Sequence, residues 1–179
     1  MTVNLKLKLK GSMIFVLAVV LLLPALAWGQ SWDEEQANKA KEVLGEKFQL
    51  EESLSFNQEG ALKAETLQVY PAAIDTEVTD KVLEEGLTVA LVRYGEDRLL
   101  PLFVSSLPEL DPPYGVALIG PEGEVLTVNP AQIQGGQEGE GVATPTVELL
   151  KEGEGEETYR VAIRFANVSI ETEIPKAAP

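Results

Sequence analysis

Near its C-terminus the chain alternates apolar and polar residues with a period of two. Tyr159, Val161, Ile163 and Phe165 take one parity, with Arg160, Ala162 and Arg164 between them. Val168, Ile170, Thr172 and Ile174 take the other, alternating with Ser169, Glu171 and Glu173. Successive side chains of a strand point to opposite faces, so this pattern fits strands with one face on a core and fits no helix. The inward parity changes from odd to even across Ala166-Asn167. A one-residue slip carries every side chain to the other face, so a β-bulge or a sharp bend is expected there.

Upstream, strand and turn signals follow one another closely. Leu87 to Tyr94 reads as a strand, Gly95-Glu96-Asp97 as a tight turn, and Arg98 to Val104 as the returning strand. Pro101 within that return points to an edge position or a bulge, because proline cannot donate to a ladder. Ser105 to Pro113, with Pro108, Pro112 and Pro113, reads as a loop. Tyr114 to Ile119 and Glu124 to Val128 form a hairpin around Gly120-Pro121-Glu122-Gly123. Pro130 to Thr144, rich in glycine, is expected to be a mobile loop. Thr146 to Leu150 is a further strand, and Lys151 to Glu157 an acidic glycine turn. Phe48, Leu50, Leu54 and Phe56 share one parity, Ala61 to Tyr70 is a second extended run ended by Pro71, and Thr79 to Gly86 reads as one helical turn or a loop. No internal repeat is visible. About eight short strands separated by turns predict a mainly β fold, an antiparallel β-sandwich or barrel.

One helix precedes them. Ser31 and Glu34 have the spacing of a capping box, and Trp32, Ala37, Ala40, Val43 and Leu44 recur at helical spacing. Gly45 fits the C-terminal stop, so a helix is expected over about 32–44, packed on the sheets.

Before the helix stands a leader. Lys6, Lys8 and Lys10 precede an apolar run from Met13 to Leu23, Pro24 breaks it, and Ala25-Leu26-Ala27 ends it. A positive start, a short apolar middle and an A-x-A end are the parts of a secretory signal peptide. Ala25 and Ala27 are the expected recognition residues, with cleavage after Ala27 and a cut after Gly29 as the next choice. The 16 residues from Met13 to Trp28 fall short of the roughly 20 needed to span a bilayer. The expected domains are thus 1–27, a signal peptide, and 28–179, a single β-sandwich-like domain, periplasmic or secreted. Contact with membrane is expected only through the N-terminal segment before cleavage. The order of segments also resembles type IV pilin-like subunits, in its lysine-rich leader ending at Lys10-Gly11, apolar helix containing Pro24, amphipathic helix and sheet domain. It departs from them at Val16, where that family usually carries Glu, and at Ser12, where Phe or Met is usual. That resemblance implies a helix-anchored or membrane-tethered subunit.

Composition narrows the chemistry. Losing three lysines leaves 11 basic against 29 acidic residues, a net charge of −18 on the mature part. Such a charge argues against a nucleic-acid ligand, which needs concentrated Lys and Arg, and favours solubility and a basic or cationic partner. The chain has no His and no Cys. Disulfides, His- or Cys-dependent nucleophilic triads and His- or Cys-ligated metals are therefore excluded. No cofactor is expected, and enzyme activity is less expected than binding. A carboxylate-dependent secreted hydrolase is the enzymatic alternative, although nothing along the chain selects a carboxylate pair. A Ser-Lys dyad drawn from Ser105, Ser106 and a lysine has no local motif. Arg160 and Arg164 share an outward face about 13 Å apart, which reads as a solvated row paired with Glu. Trp32 reads as a packing anchor. Asn167-Val168-Ser169 matches a glycosylation acceptor but lies in a strand pattern.

In an antiparallel sandwich successive connections alternate ends. The turns at Gly95, Gly123 and Gly155 then fall at one end and Pro112 and Gly136 at the other; the first end gathers Glu96, Asp97, Glu122, Glu152, Glu154, Glu156 and Glu157, with Arg98 and Lys151 as nearby cations, and forms a surface for a basic partner or a weakly held divalent cation. The longer connections fall at the other, with Ser105, Ser106, Tyr114, Gln132, Gln134 and Gln137. Long loops on a rigid scaffold concentrate binding residues, so these six are the candidate ligand residues. The overall expectation is an exported binding or assembly module of the cell envelope.

Overall fold

The computed structural model describes residues 31–49, 54–74, 77–135, 144–152 and 157–179. The expected cleavage residues Ala25 and Ala27, the candidate Gln137, the acidic Glu154 and Glu156, and the turn glycines Gly136 and Gly155 lie outside these. Trp32–Pro179 forms one compact unit.

Among the described residues ten strands make two antiparallel sheets. Six form a meander: β1 (Leu62–Lys63), β2 (Leu67–Pro71), β3 (Leu87–Tyr94), β4 (Arg98–Ser106), β5 (Tyr114–Ile119) and β6 (Val125–Pro130), each beside the next. Four more, β7 (Gln132–Gly135), β8 (Thr146–Glu152), β9 (Thr158–Arg164) and β10 (Val168–Pro175), pair in the order β7-β10-β9-β8. The chain changes sheets at buried Ala131, between β6 and β7, where the Ala131 amide donates to Tyr114 O at 2.9 Å. This mainly β, sandwich-like arrangement is the expected class, with ten strands in place of about eight.

The main core lies between the sheets. Val92, Leu100, Leu102, Val104, Val116 and Leu118 face it from the six-stranded sheet, and Tyr159, Val161, Ile163, Ile170 and Ile174 from the four-stranded one. The parity change at Ala166-Asn167 is a hairpin reversal, not a bulge within one strand. Phe165 N–H donates to Val168 O at 2.8 Å, and Ile163 pairs with Ile170. Paired residues of an antiparallel ladder share a face, and this register pairs odd numbers with even. The pattern was sound; reversal of the chain is its cause.

A second, smaller core lies on the opposite face of the six-stranded sheet, under helix α1 (Glu34–Lys47). The capping box closes on Asp33 rather than Ser31. Asp33 Oδ1 accepts from Gln36 N at 2.8 Å, and Gln36 Oε1 accepts from Asp33 N at 3.2 Å. Glu34 and Glu35 then occupy the first turn, where the helix dipole favours negative charge. Gly45 does not stop the helix, which continues to Lys47; its bare backbone lies against Val125, and a Cβ there would be 3.4 Å from Cγ2. Ala40 and Leu44 are fully buried against Phe103, Ala117 and Ile119, and Trp32 packs on their margin as the expected anchor. Gly115 admits this packing, since a Cβ on it would come within 2.7 Å of both Trp32 and Leu107.

Other expectations change in detail. Ala61 to Tyr70 is a hairpin, with Leu62 opposite Val69. Thr79 to Gly86 is a short helix α2 (Asp80–Glu85), N-capped by Thr79 and ended by Gly86 at φ 94°. No other residue fits at Gly86, because a Cβ would stand 2.2 Å from the Phe103 ring. Phe48 caps α1 in extended conformation, and Phe56 makes only a single bridge to Ala72. Pro101 lies in an interior strand but at a locally unpaired level: it faces Leu91 on β3, and pairing with β5 starts at Leu102. Gln132 and Gln134 are strand residues opposite Glu171 and Ser169, so the expected mobile loop begins in β7. The alternation of Gln132, Ile133 and Gln134 carried that strand signal, and the glycines after it masked it.

Candidate functional site

The meander fixes which connections share an end. The β3–β4 and β5–β6 turns lie together, and the β4–β5 connection lies at the far end. Tyr94 Oη donates to Pro175 O at 2.8 Å, and Pro175 pairs with Thr158, so the start of β9 also reaches the first end. Burial pushes the Tyr94 hydroxyl up from its ordinary pKa, so it stays a donor throughout the physiological range.

At the far end a slot of about 190 Å³ opens between α1 and the β4–β5 connection. Val43, Leu107, Pro108 and Leu110 form its apolar wall, and Lys39, Lys47, Ser106 and Glu109 its polar edge. Lys47 is spent on the framework. Its ammonium donates to Glu84 O at 2.8 Å, Ser105 Oγ at 3.0 Å and Ser106 O at 3.2 Å, tying α1 to the end of α2 and to β4. Lys39 donates to the Glu109 carboxylate across the mouth of the slot and holds that carboxyl below the usual range. The slot thus offers an apolar interior with a fixed polar rim.

The candidate residues divide on this geometry. Ser106 lines the slot and pairs with Tyr114 across β4 and β5. Ser105 is fully buried, and its hydroxyl donates to Leu83 O at 2.9 Å, so it serves the joint between β4 and α2. Gln132 and Gln134 stand on the second sheet, where Gln134 Nε2 donates to Glu171 Oε1 at 3.4 Å. Ser105, Ser106 and Tyr114 are therefore brought together, and the two glutamines join a different surface. Lys47, Glu109 and Leu110 were not singled out in the sequence, and Lys39, whose spacing suggests an i,i+4 pair with Glu35, pairs with Glu109 instead. Lys47 follows the glycine taken as the helix end, and Glu109 meets Lys39 across 70 positions of chain.

The outward face of the second sheet carries paired charges. Arg160 reaches Glu171 at 3.4 Å and Arg164 reaches Glu148 at 2.9 Å, so both arginines are paired with Glu as expected, but only the Arg164 pair is solvated; the Glu171 side chain is largely buried. Asn167 is committed as well. Its side chain donates to Val78 O at 2.7 Å and accepts from Val78 N at 3.1 Å, so the amide nitrogen of the acceptor motif clamps a neighbouring segment. Among the described residues no three acidic side chains gather as a metal site. No described helix is long and apolar enough to cross a membrane.

A second concavity, a groove of about 630 Å³, lies at the turn end, between Phe48, Leu91, Leu99 and Pro101 on one side and Gly120 to Gly123 on the other. Comparison of the chain with protein-family models, with curated proteins and with solved structures finds no match.

Proposed function

We propose that this chain is an exported, acidic β-sandwich domain that acts as a binding or assembly module in the cell envelope, periplasmic or secreted, and meets its partner at the end bearing Ser106 and Tyr114. The observation that carries this reading is the slot between α1 and the β4–β5 connection. Sites for whole small molecules occupy about 300–1,000 Å³, so a slot of about 190 Å³ suits one large apolar side chain of a protein partner. Part of its rim is preset: Lys47 is anchored by three bonds, so its side chain loses little entropy on docking.

The test is a photo-crosslinking amino acid at Pro108, on the slot, and at Lys63, on a remote exposed strand, in the cell that makes the protein. A discrete adduct from Pro108 and none from Lys63 is the expected result. Identical adducts at both positions would remove the slot as the site. Intact mass of the isolated protein checks export separately, with a start at Trp28 or Gln30 expected.

A further inference from the structure

The six-stranded sheet has two halves on its α1 side, and the described residues cover only one. Paired residues share a face, so the register arranges that face in rows. Phe103, Ala117 and Val128 make one row, beneath α1. Tyr70, Leu91 and Pro101 make the next, and Gln68, Arg93 and Leu99 the one nearest the turns. α1 packs on β4, β5 and β6. The rows through Leu91 and Leu99 border the open groove, with Phe48 and Pro121 at its margin. Leu99 is 52 % exposed, the most exposed large apolar side chain among the described residues.

Acidic residues outnumber basic ones at the groove. Glu96 and Asp97 stand on the β3–β4 turn and Glu122 and Glu124 on the β5–β6 turn, all exposed and at the same end. Against them stand Lys63 and Arg93, joined through Gln68 in the row of Leu99, and Arg98 at the tip; Arg93 keeps its charge while turned back onto the Gly95 and Glu96 carbonyls at 3.2 and 3.0 Å. The chain as a whole carries −15. A second copy would bring like charge to this end, whereas a cationic segment gains from it.

We propose that this open half-face docks a polypeptide segment of a partner in which apolar side chains are followed by Lys or Arg. The apolar side chains lie over Leu91, Leu99 and Pro101, and the basic residues meet Glu96, Asp97 and Glu122. This surface is separate from the slot at the other end, and either can fail without the other.

The probe is a fluorescent synthetic peptide with a Leu-Val-Phe segment followed by a run of lysines, measured by anisotropy against the full mature protein. A control peptide keeps the lysines and replaces the apolar segment with Gly-Ser-Gly. The apolar peptide is expected to bind more tightly than the control. Leu99→Asp and Leu99→Ser are both expected to weaken it by about tenfold or more, as for a central apolar contact. Glu122→Lys should weaken it a few-fold and flatten its salt dependence. Leu99→Asp separates the cases, because it adds an anion. Binding by charge alone would be unchanged or strengthened by it, and that result overturns the proposal. Equal binding of the two peptides does so too. A dimer in sedimentation that Leu99→Ser abolishes would assign the face to a second copy and equally overturn it. Unchanged melting temperatures for the variants establish that the fold is intact.

Discussion

The two faces of the six-stranded sheet are built from the same strands and are held in different ways. The face toward the second sheet is covered by four strands, of which β9 and β10 contribute inward residues at every second position, and its core is continuous from Leu67 to Ile174. Among the described residues, half of the other face is covered, by a helix of 14 residues and the β4–β5 connection, and its core is a small cluster around Ala40, Leu44 and Phe103. A helix of that length is marginal in water, so its stability comes from the packing itself. The difference separates a rigid scaffold from a layer that can loosen alone, and both concavities lie beside the layer.

Mutations at matched depths should expose this contrast. Phe165→Ala, in the inter-sheet core, should cost roughly 3–5 kcal/mol in denaturant unfolding, with the whole domain affected. A smaller loss would mean that the end of β9 is not part of the cooperative core. Leu44→Ala, fully buried under α1, should cost about 2–4 kcal/mol. Hydrogen exchange should then rise in α1 while β9 and β10 keep their protection. Equal loss of protection in both would merge the two layers into one unit. Asp33→Ala removes an N-cap and should cost about 1 kcal/mol, again seen first in α1. Arg164→Ala breaks an exposed ion pair with Glu148 and should change stability by at most about 1 kcal/mol.

The smallest expected effect is at the slot. Lys39 lowers the Glu109 pKa, so this pair contributes above the ordinary carboxylate range and is lost as pH falls through the lowered value. In Lys39→Met the Glu109 carboxyl should titrate at a higher pH by NMR, with the melting temperature hardly moved. An unchanged midpoint would show that the pair is not formed in solution.

Much of the scaffold was legible from period-two alternation and turn chemistry. Leu87 to Tyr94, Tyr114 to Ile119 and the Gly120 to Gly123 turn stand where local sequence puts them, because those signals are local. The helix start shifted by two residues, since two overlapping capping boxes compete and local spacing does not rank them. Sheet membership was harder. Nothing in the order of strands says that the chain passes from one sheet to the other at Ala131, or that β7 pairs with β10 across more than thirty positions. The sites were least legible. The slot joins Lys39 to Glu109, and the groove joins Phe48 to Leu99, through contacts that exist only once α1 has docked.

One irregularity in β8 bears on how such a domain survives at high concentration. The strand lies at the border of its sheet and pairs only with β9, and it exposes Leu149 and Leu150. A border strand of this kind is a template for a neighbouring molecule's backbone and a starting point for fibrous aggregates. Its entry is already occupied, because the Val147 amide donates to Gly60 O at 2.8 Å. Beyond that the register slips between Leu149 and Lys151, so Leu150 has no partner in the ladder and the strand bends there. No straight run of free amides and carbonyls remains for an incoming strand to copy. The extra residue at Leu150 thus interrupts the flat, regular edge that strand-on-strand association needs.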